Sequence, residues 1–202
     1  LTLKSVALLS QHHFADGLAA AESIREINPY NAFVYGLLVD GNVEMGRYDS
    51  AIAAAEKMIS IRPDLRSYSR ISYLREIHGD NIGAIEAMKM AVDAGADGDE
   101  ATEWSRSQLG HLYENAGNME EAKMQYTIAL HNRQGYPAAL SGMGRITLAQ
   151  KKYDESLLYF MQADSMVADA NFREDIADVY LAMNKKDKAY EVLNIAIKEM
   201  LQ

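Results

Sequence analysis

The 202-residue sequence contains no cysteine, three prolines and a deficit of basic charge. Without cysteine there is no disulfide framework and no thiolate metal site. Twenty Lys and Arg face 29 Asp and Glu, a net charge of −9. Gripping phosphates takes clustered cations, so nucleic acid is not an expected partner, and anionic membrane surfaces are disfavoured for the same reason. No apolar run approaches the ~18–20 residues needed to cross a bilayer, so direct membrane insertion is not expected either. HExxH, P-loop, GxGxxG and GxSxG strings are all missing, as are strand alternation and hairpin turns. The chain opens on Leu1 in helical pattern with no visible signal peptide. It reads as a fragment or a processed product, which leaves the compartment unknown: cytoplasmic, or exported after removal of a signal.

What is present is a repeat. Hydrophobic residues make up 49% of the chain, enough for a sizeable core. Two stretches resemble each other, GRYDSAIAAAEKMISIRP from Gly46 to Pro63 and GNMEEAKMQYTIAL from Gly117 to Leu130. Each opens on a glycine and carries a small residue five positions later. Small residues recur at Gly17, Ala51, Ala84, Ala122, Ser156 and Ala189, which by subtraction are 34, 33, 38, 34 and 33 apart. Between them the apolar residues keep helical spacing, as in Tyr48, Ala51, Ile52, Ala55, Met58 and Ile59, or Phe172, Ile176, Tyr180 and Met183. Asn118–Glu121 and Asp97–Glu100 read as capping boxes opening helices. The pattern predicts an all-α chain of twelve helices, two per unit. Methionines such as Met88, Met124, Met143 and Met161 read as core filling.

This spacing resembles the tetratricopeptide repeat (TPR), a helix–turn–helix unit of about 34 residues. The six small residues fall at the family's position 20. Position 27 reads Ile24, Met58, Ala91, Ala129, Ala163 and Ala196, and position 8 includes Ser72, Gly110, Gly144 and Ala177. Position 15, the turn, reads Gly46, Gly79, Gly117 and Asn184, and position 32 reads Pro29 and Pro63. Departures are Ser5 and Val39 at position 8, and His12 and Lys151 at the turn. In the first unit only the second helix is convincing. The resemblance implies an α-solenoid, a right-handed superhelix of about six units, at approximately 1–31, 32–64, 65–98, 103–136, 137–169 and 170–202. These form a single array, with a long loop at 93–100 as its one seam. The block from Arg66 to Asp80 is similar to a group of uncharacterised bacterial TPR proteins and implies no activity.

The resemblance further implies a concave groove lined by the first helix of each pair. Its positions map to Leu3, Val6, Leu9, Phe33, Leu37 and Asp40, then Arg66, Ser69, Arg70, Tyr73, Trp104, Ser107, Gln108 and His111, then Arg145, Glu174, Asp175 and Asp178. The expected partner-binding residues are Phe33, Asp40, Arg66, Arg70, Tyr73, Trp104, Gln108, His111 and Arg145. Arginine forks grip carboxylates and aromatics anchor partners, so a peptide with a carboxylate and an apolar anchor would suit them. The competing reading pairs these arginines with neighbouring Glu residues and packs Trp104 under the long loop. The carboxylate clamp of chaperone-binding TPR domains is incomplete. Arg66 and Arg70 match one of its pairs, but Thr2, Val6 and Leu37 occupy its other places.

Function is therefore expected to be a protein–protein interaction scaffold holding a peptide or helix of a partner, not an enzyme, with no cofactor. One alternative is a structural module, self-associating as a homo-oligomer through the apolar first unit. A remote one is a metal-assisted enzyme using His111 and Glu114. That H-x-x-E pair lacks a third ligand, and the acidic loop lacks the spacing of a calcium site, so no metal is expected.

Overall fold

The computed structural model describes residues 1–167 and 169–200. Among them every regular element is an α-helix, twelve in all. The helices divide between two compact units, Leu1–Ala96 and Asp97–Gln202. The first unit holds α1 (Thr2–Ser10), α2 (Phe14–Ile27), α3 (Ala32–Glu44), α4 (Tyr48–Ile61), α5 (Leu65–Ile77) and α6 (Asn81–Asp93). The second holds α7 (Glu100–Asn115), α8 (Met119–Asn132), α9 (Pro137–Ala149), α10 (Tyr153–Met166), α11 (Ala170–Ala182) and α12 (Lys186–Met200). In each unit successive helices pack on one another. Alternate helices also touch, α1 on α3 on α5 in the first unit and α7 on α9 on α11 in the second.

The small residues explain this packing. Ala51, Ala84, Ala122, Ser156 and Ala189 are all essentially inaccessible to solvent, because the paired helices approach too closely for larger side chains. Serines at these crossings also tie the two helices together. The Ser5 hydroxyl donates to the Gly17 carbonyl at 2.8 Å and Ser72 to Ala84 at 2.7 Å. In the fifth pair the same link runs backwards, from Ser156 to Gly144 at 2.8 Å. Ser5 at position 8 is thus no weakness, and the first repeat, α1 with α2, forms a complete helix pair.

All six turns are left-handed at the same position. Gly46, Gly79 and Gly117 have φ of 67°, 80° and 78°, and Asn184 has 58°. His12 and Lys151, both at 61°, adopt the conformation despite their Cβ atoms. A left-handed residue costs roughly 1–2 kcal/mol, partly offset by the chain entropy that glycine adds on unfolding. Lys151→Gly is accordingly expected to raise stability by about 0.5–1 kcal/mol, read as a higher denaturant midpoint at unchanged slope.

Two sequence expectations need correction. Neither Asn118 nor Asp99, the residues preceding α8 and α7, makes a side-chain cap bond. The reciprocal capping box is instead Asp64 with Ser67, at the start of α5. In the 97–100 stretch the acids serve other partners: the Asp97 carboxylate accepts from Arg106 Nη2 at 2.7 Å. The methionines also divide. Met88 and Met143 are buried, whereas Met124 and Met161 are about half exposed, on the outer helices α8 and α10.

Candidate functional site

In the first unit, α3 supplies Phe33 and Asp40, and α5 supplies Arg66, Arg70 and Tyr73. Phe33, Arg66 and Tyr73 are exposed. Arg70 is already engaged. Its Nε and Nη2 donate to the two oxygens of Asp40, at 2.8 and 2.6 Å, a forked ion pair. Gly36, one turn before Asp40, makes room for it, since a Cβ there would lie 3.2 Å from the guanidinium carbon. Leu37, expected on the groove, is buried in the core cluster with Val34, Leu38 and Leu74.

In the second unit a groove of about 880 Å³ runs across the inner helices. One wall is α7, with Trp104, Gln108 and His111. The floor is α9, with Ser141 and Arg145. The far wall is α11, with Phe172, Glu174, Asp175 and Asp178. Trp104 is 46% exposed and lines the groove, so it does not pack away under the 93–100 loop.

A chain of polar contacts holds the floor. Arg145 Nε donates to Glu114 at 2.9 Å, and its Nη2 donates to the Tyr126 hydroxyl at 3.2 Å. Its Nη1 donates to Ser141 Oγ at 2.9 Å, and Ser141 donates on to Asp175 at 3.1 Å. Burial pushes the Tyr126 phenol well above its ordinary value, and the Glu114 carboxylate adds to the shift. Burial by itself lowers Arg145, but the hydrogen bonds and charges of Glu114 and Tyr126 together leave it raised. Glu114 is thus the anchor of Arg145, which leaves His111 without its sequence-paired carboxylate.

Asp175 is raised too. Burial is the largest cause, Ser141 and Arg145 pull it down, and Asp178 and Glu174 push it back up. A carboxyl raised in the folded state favours folding fully below its unfolded value, and that benefit disappears as pH rises through the folded value. At neutral pH the ionised Asp175 therefore opposes folding. Asp175→Asn, which keeps an acceptor for Ser141, is expected to raise the melting temperature at pH 7. The gain should fade as the pH drops toward the ordinary carboxyl value of 3.8.

The groove brings together Trp104, Gln108, His111 and Arg145, while the other five candidate residues belong to the first unit. Phe172 opens the helical spacing Phe172, Ile176, Tyr180 and Met183. It follows Asn171, which occupies a groove-lining position, and its neighbouring place on the helix puts it at the edge of the groove. Among the described residues no group of three or more His, Cys, Asp or Glu is placed to hold a metal ion. No described helix is long and apolar enough to cross a membrane.

The tetratricopeptide-repeat family model matches residues 34–65 and 105–130. These segments fall in both units, and each spans parts of a helix pair. The two matched segments are tetratricopeptide repeats. The small glutamine-rich tetratricopeptide repeat-containing protein 2 of Saccharomyces cerevisiae is 35% identical over 79 residues, 39% of this chain and 22% of that protein. The chain thus spans about a fifth of that relative's length. Solved structures share the fold. A chain of the APC/C hetero-tetramer Cut9–Hcn1 superposes with a TM-score of 0.83 at 15% identity, covering 97% of this chain and 38% of that one. A TPR protein from Parabacteroides merdae gives 0.72 at 18% identity, covering 98% and 78%. These structures share with this chain an all-helical repeat fold.

Proposed function

We propose that this TPR protein holds a segment of a partner protein in the groove of its second unit, along α7, α9 and α11. The observation that carries the reading is the half-exposed Trp104 in an 880 Å³ groove whose floor side chains are already hydrogen-bonded to one another. Aromatic side chains in such settings are frequent anchors of binding energy, and a preformed surface spares the cost of ordering it. Gln108 and His111, one and two turns along the same helix, offer hydrogen bonds beside the anchor. Phe33, Arg66 and Tyr73 make a separate exposed candidate surface on the first unit, with the Arg70–Asp40 pair beside them.

The test is a photo-crosslinking residue placed at His111 and, in a second variant, at Glu121 on the outer helix α8. The expected result is a defined adduct from position 111 in source cells and none from 121. Adducts from 121 alone would move binding to the outer face. A second reading is favoured by α1, where Leu3 is 85% and Val6 38% exposed: self-association through that face. Sedimentation equilibrium of wild type beside Leu3→Glu separates the two, since only self-association makes the mass depend on concentration and on residue 3.

A further inference from the structure

The charge of the groove narrows what can fill it, and the argument rests on the groove being the binding surface. Its arginine, Arg145, is neutralised from behind by Glu114 at 2.9 Å. The α11 wall carries Glu174, Asp175 and Asp178. Glu174 and Asp178 are exposed and have no salt-bridge partner among the described residues. Asp175 is partly buried between them and Ser141. Across the α9 floor stands Trp104, whose ring face attracts cations as well as apolar groups.

We infer that the groove takes a basic, partly apolar segment of a partner protein. Its Lys or Arg side chains lie against Glu174 and Asp178, and an apolar side chain rests on Trp104. An acidic segment meets like charge along the whole α11 wall, with the Arg145 charge already spent on Glu114, and juxtaposed like charges reject wrong partners. The chain's net charge of −9 steers cationic segments toward it from a distance. This polarity is the reverse of the carboxylate-gripping role that the arginines suggest when read without their partners.

Trp104 is the single tryptophan, so its emission reports occupancy directly. The probes are a synthetic lysine–leucine peptide and its glutamate–leucine counterpart, titrated against the full chain. The comparison set is the wild type, Glu174→Gln/Asp178→Asn, and Glu120→Gln/Glu121→Gln, an exposed α8 pair with the same change in net charge. The lysine peptide is expected to shift the emission saturably. Its binding should weaken on the order of tenfold in the α11 variant and hardly change in the α8 variant. If the glutamate peptide alone shifts the emission, the polarity is overturned and the groove reading stands. If neither does, both fall. If the α8 pair matters as much as the α11 pair, the lysine peptide is held by overall charge, and the inference about this wall is overturned.

Discussion

Glu103→Ala is expected to destabilise the second unit by about 3–5 kcal/mol, although the residue sits in the first turn of a helix, where alanine would ordinarily be harmless. Glu103 is fully buried. Its Oε1 accepts from the Gly98 amide and from Asn132 Nδ2, both at 2.9 Å, and its Oε2 accepts from Arg106 Nε at 3.1 Å. Arg106 is itself 8% exposed and reaches Asp97 with its other arm at 2.7 Å. One carboxylate therefore ties the start of the second unit to α7 and α8. Removing it leaves a buried guanidinium matched only by an exposed Asp97, and an amide and a side-chain NH₂ without their acceptor. Glu103→Gln, which retains an acceptor for Gly98 and Asn132 but loses the charge, is expected to fall between the wild type and the alanine variant. Urea unfolding followed by Trp104 emission reads this unit, because the tryptophan lies one residue away on α7. A loss below about 1 kcal/mol for Glu103→Ala would mean that water replaces the carboxylate at little cost.

Tyr126→Ala is expected to cost a similar amount, about 3–5 kcal/mol, as for other large buried aromatics. The ring is wholly buried and its hydroxyl meets Arg145. The ring fits because α7 and α9 present Gly110 and Gly142 to it: a Cβ on Gly110 would lie 2.6 Å from Tyr126 Cε1, and one on Gly142 would overlap the ring outright. Helix propensity alone makes Gly142→Ala favourable by roughly 1 kcal/mol. The fit reverses that sign, and a net loss of about 1–3 kcal/mol is expected. The two substitutions should not add. In a Tyr126→Ala background the new methyl has space, so Gly142→Ala becomes neutral or stabilising there, a coupling that equilibrium unfolding of the four proteins measures. Additive losses would show that the glycine is needed for some reason other than the ring.

The repeat was readable because its signals are local or strictly periodic. Small residues at Ala51, Ala84, Ala122 and Ser156 mark the helix crossings whatever surrounds them. Even the turns that lack glycine, at His12 and Lys151, keep the left-handed backbone that the period assigns. The lining of the second unit's groove was readable for the same reason. Trp104, Gln108, His111, Arg145, Glu174, Asp175 and Asp178 were placed by their position within the repeat, and helical geometry turns position into facing. Capping was not readable. Asp97–Glu100 and Asn118–Glu121 carry capping-box letters, but Asp97 goes to Arg106. A side chain near a helix start chooses among local and distant donors, and only the fold brings the distant ones.

The sequence by itself determined the all-helical architecture and that Trp104, Gln108, His111 and Arg145 share the inner face of the second unit, since these follow from the period of a helix and the size of its contact residues. Only the tertiary structure decided what those side chains are free to do. Arg70 and Arg145 look like available cations until α3 brings Asp40, and α7 brings Glu114, within hydrogen-bonding distance. Those pairs join residues 30 and 31 positions apart, and charge pairing across such separations depends on how neighbouring helices stack. The same stacking leaves Glu174 and Asp178, across the groove from Trp104, without an ion-pair partner among the described residues, so the charge of the groove belongs to the fold rather than to any one helix.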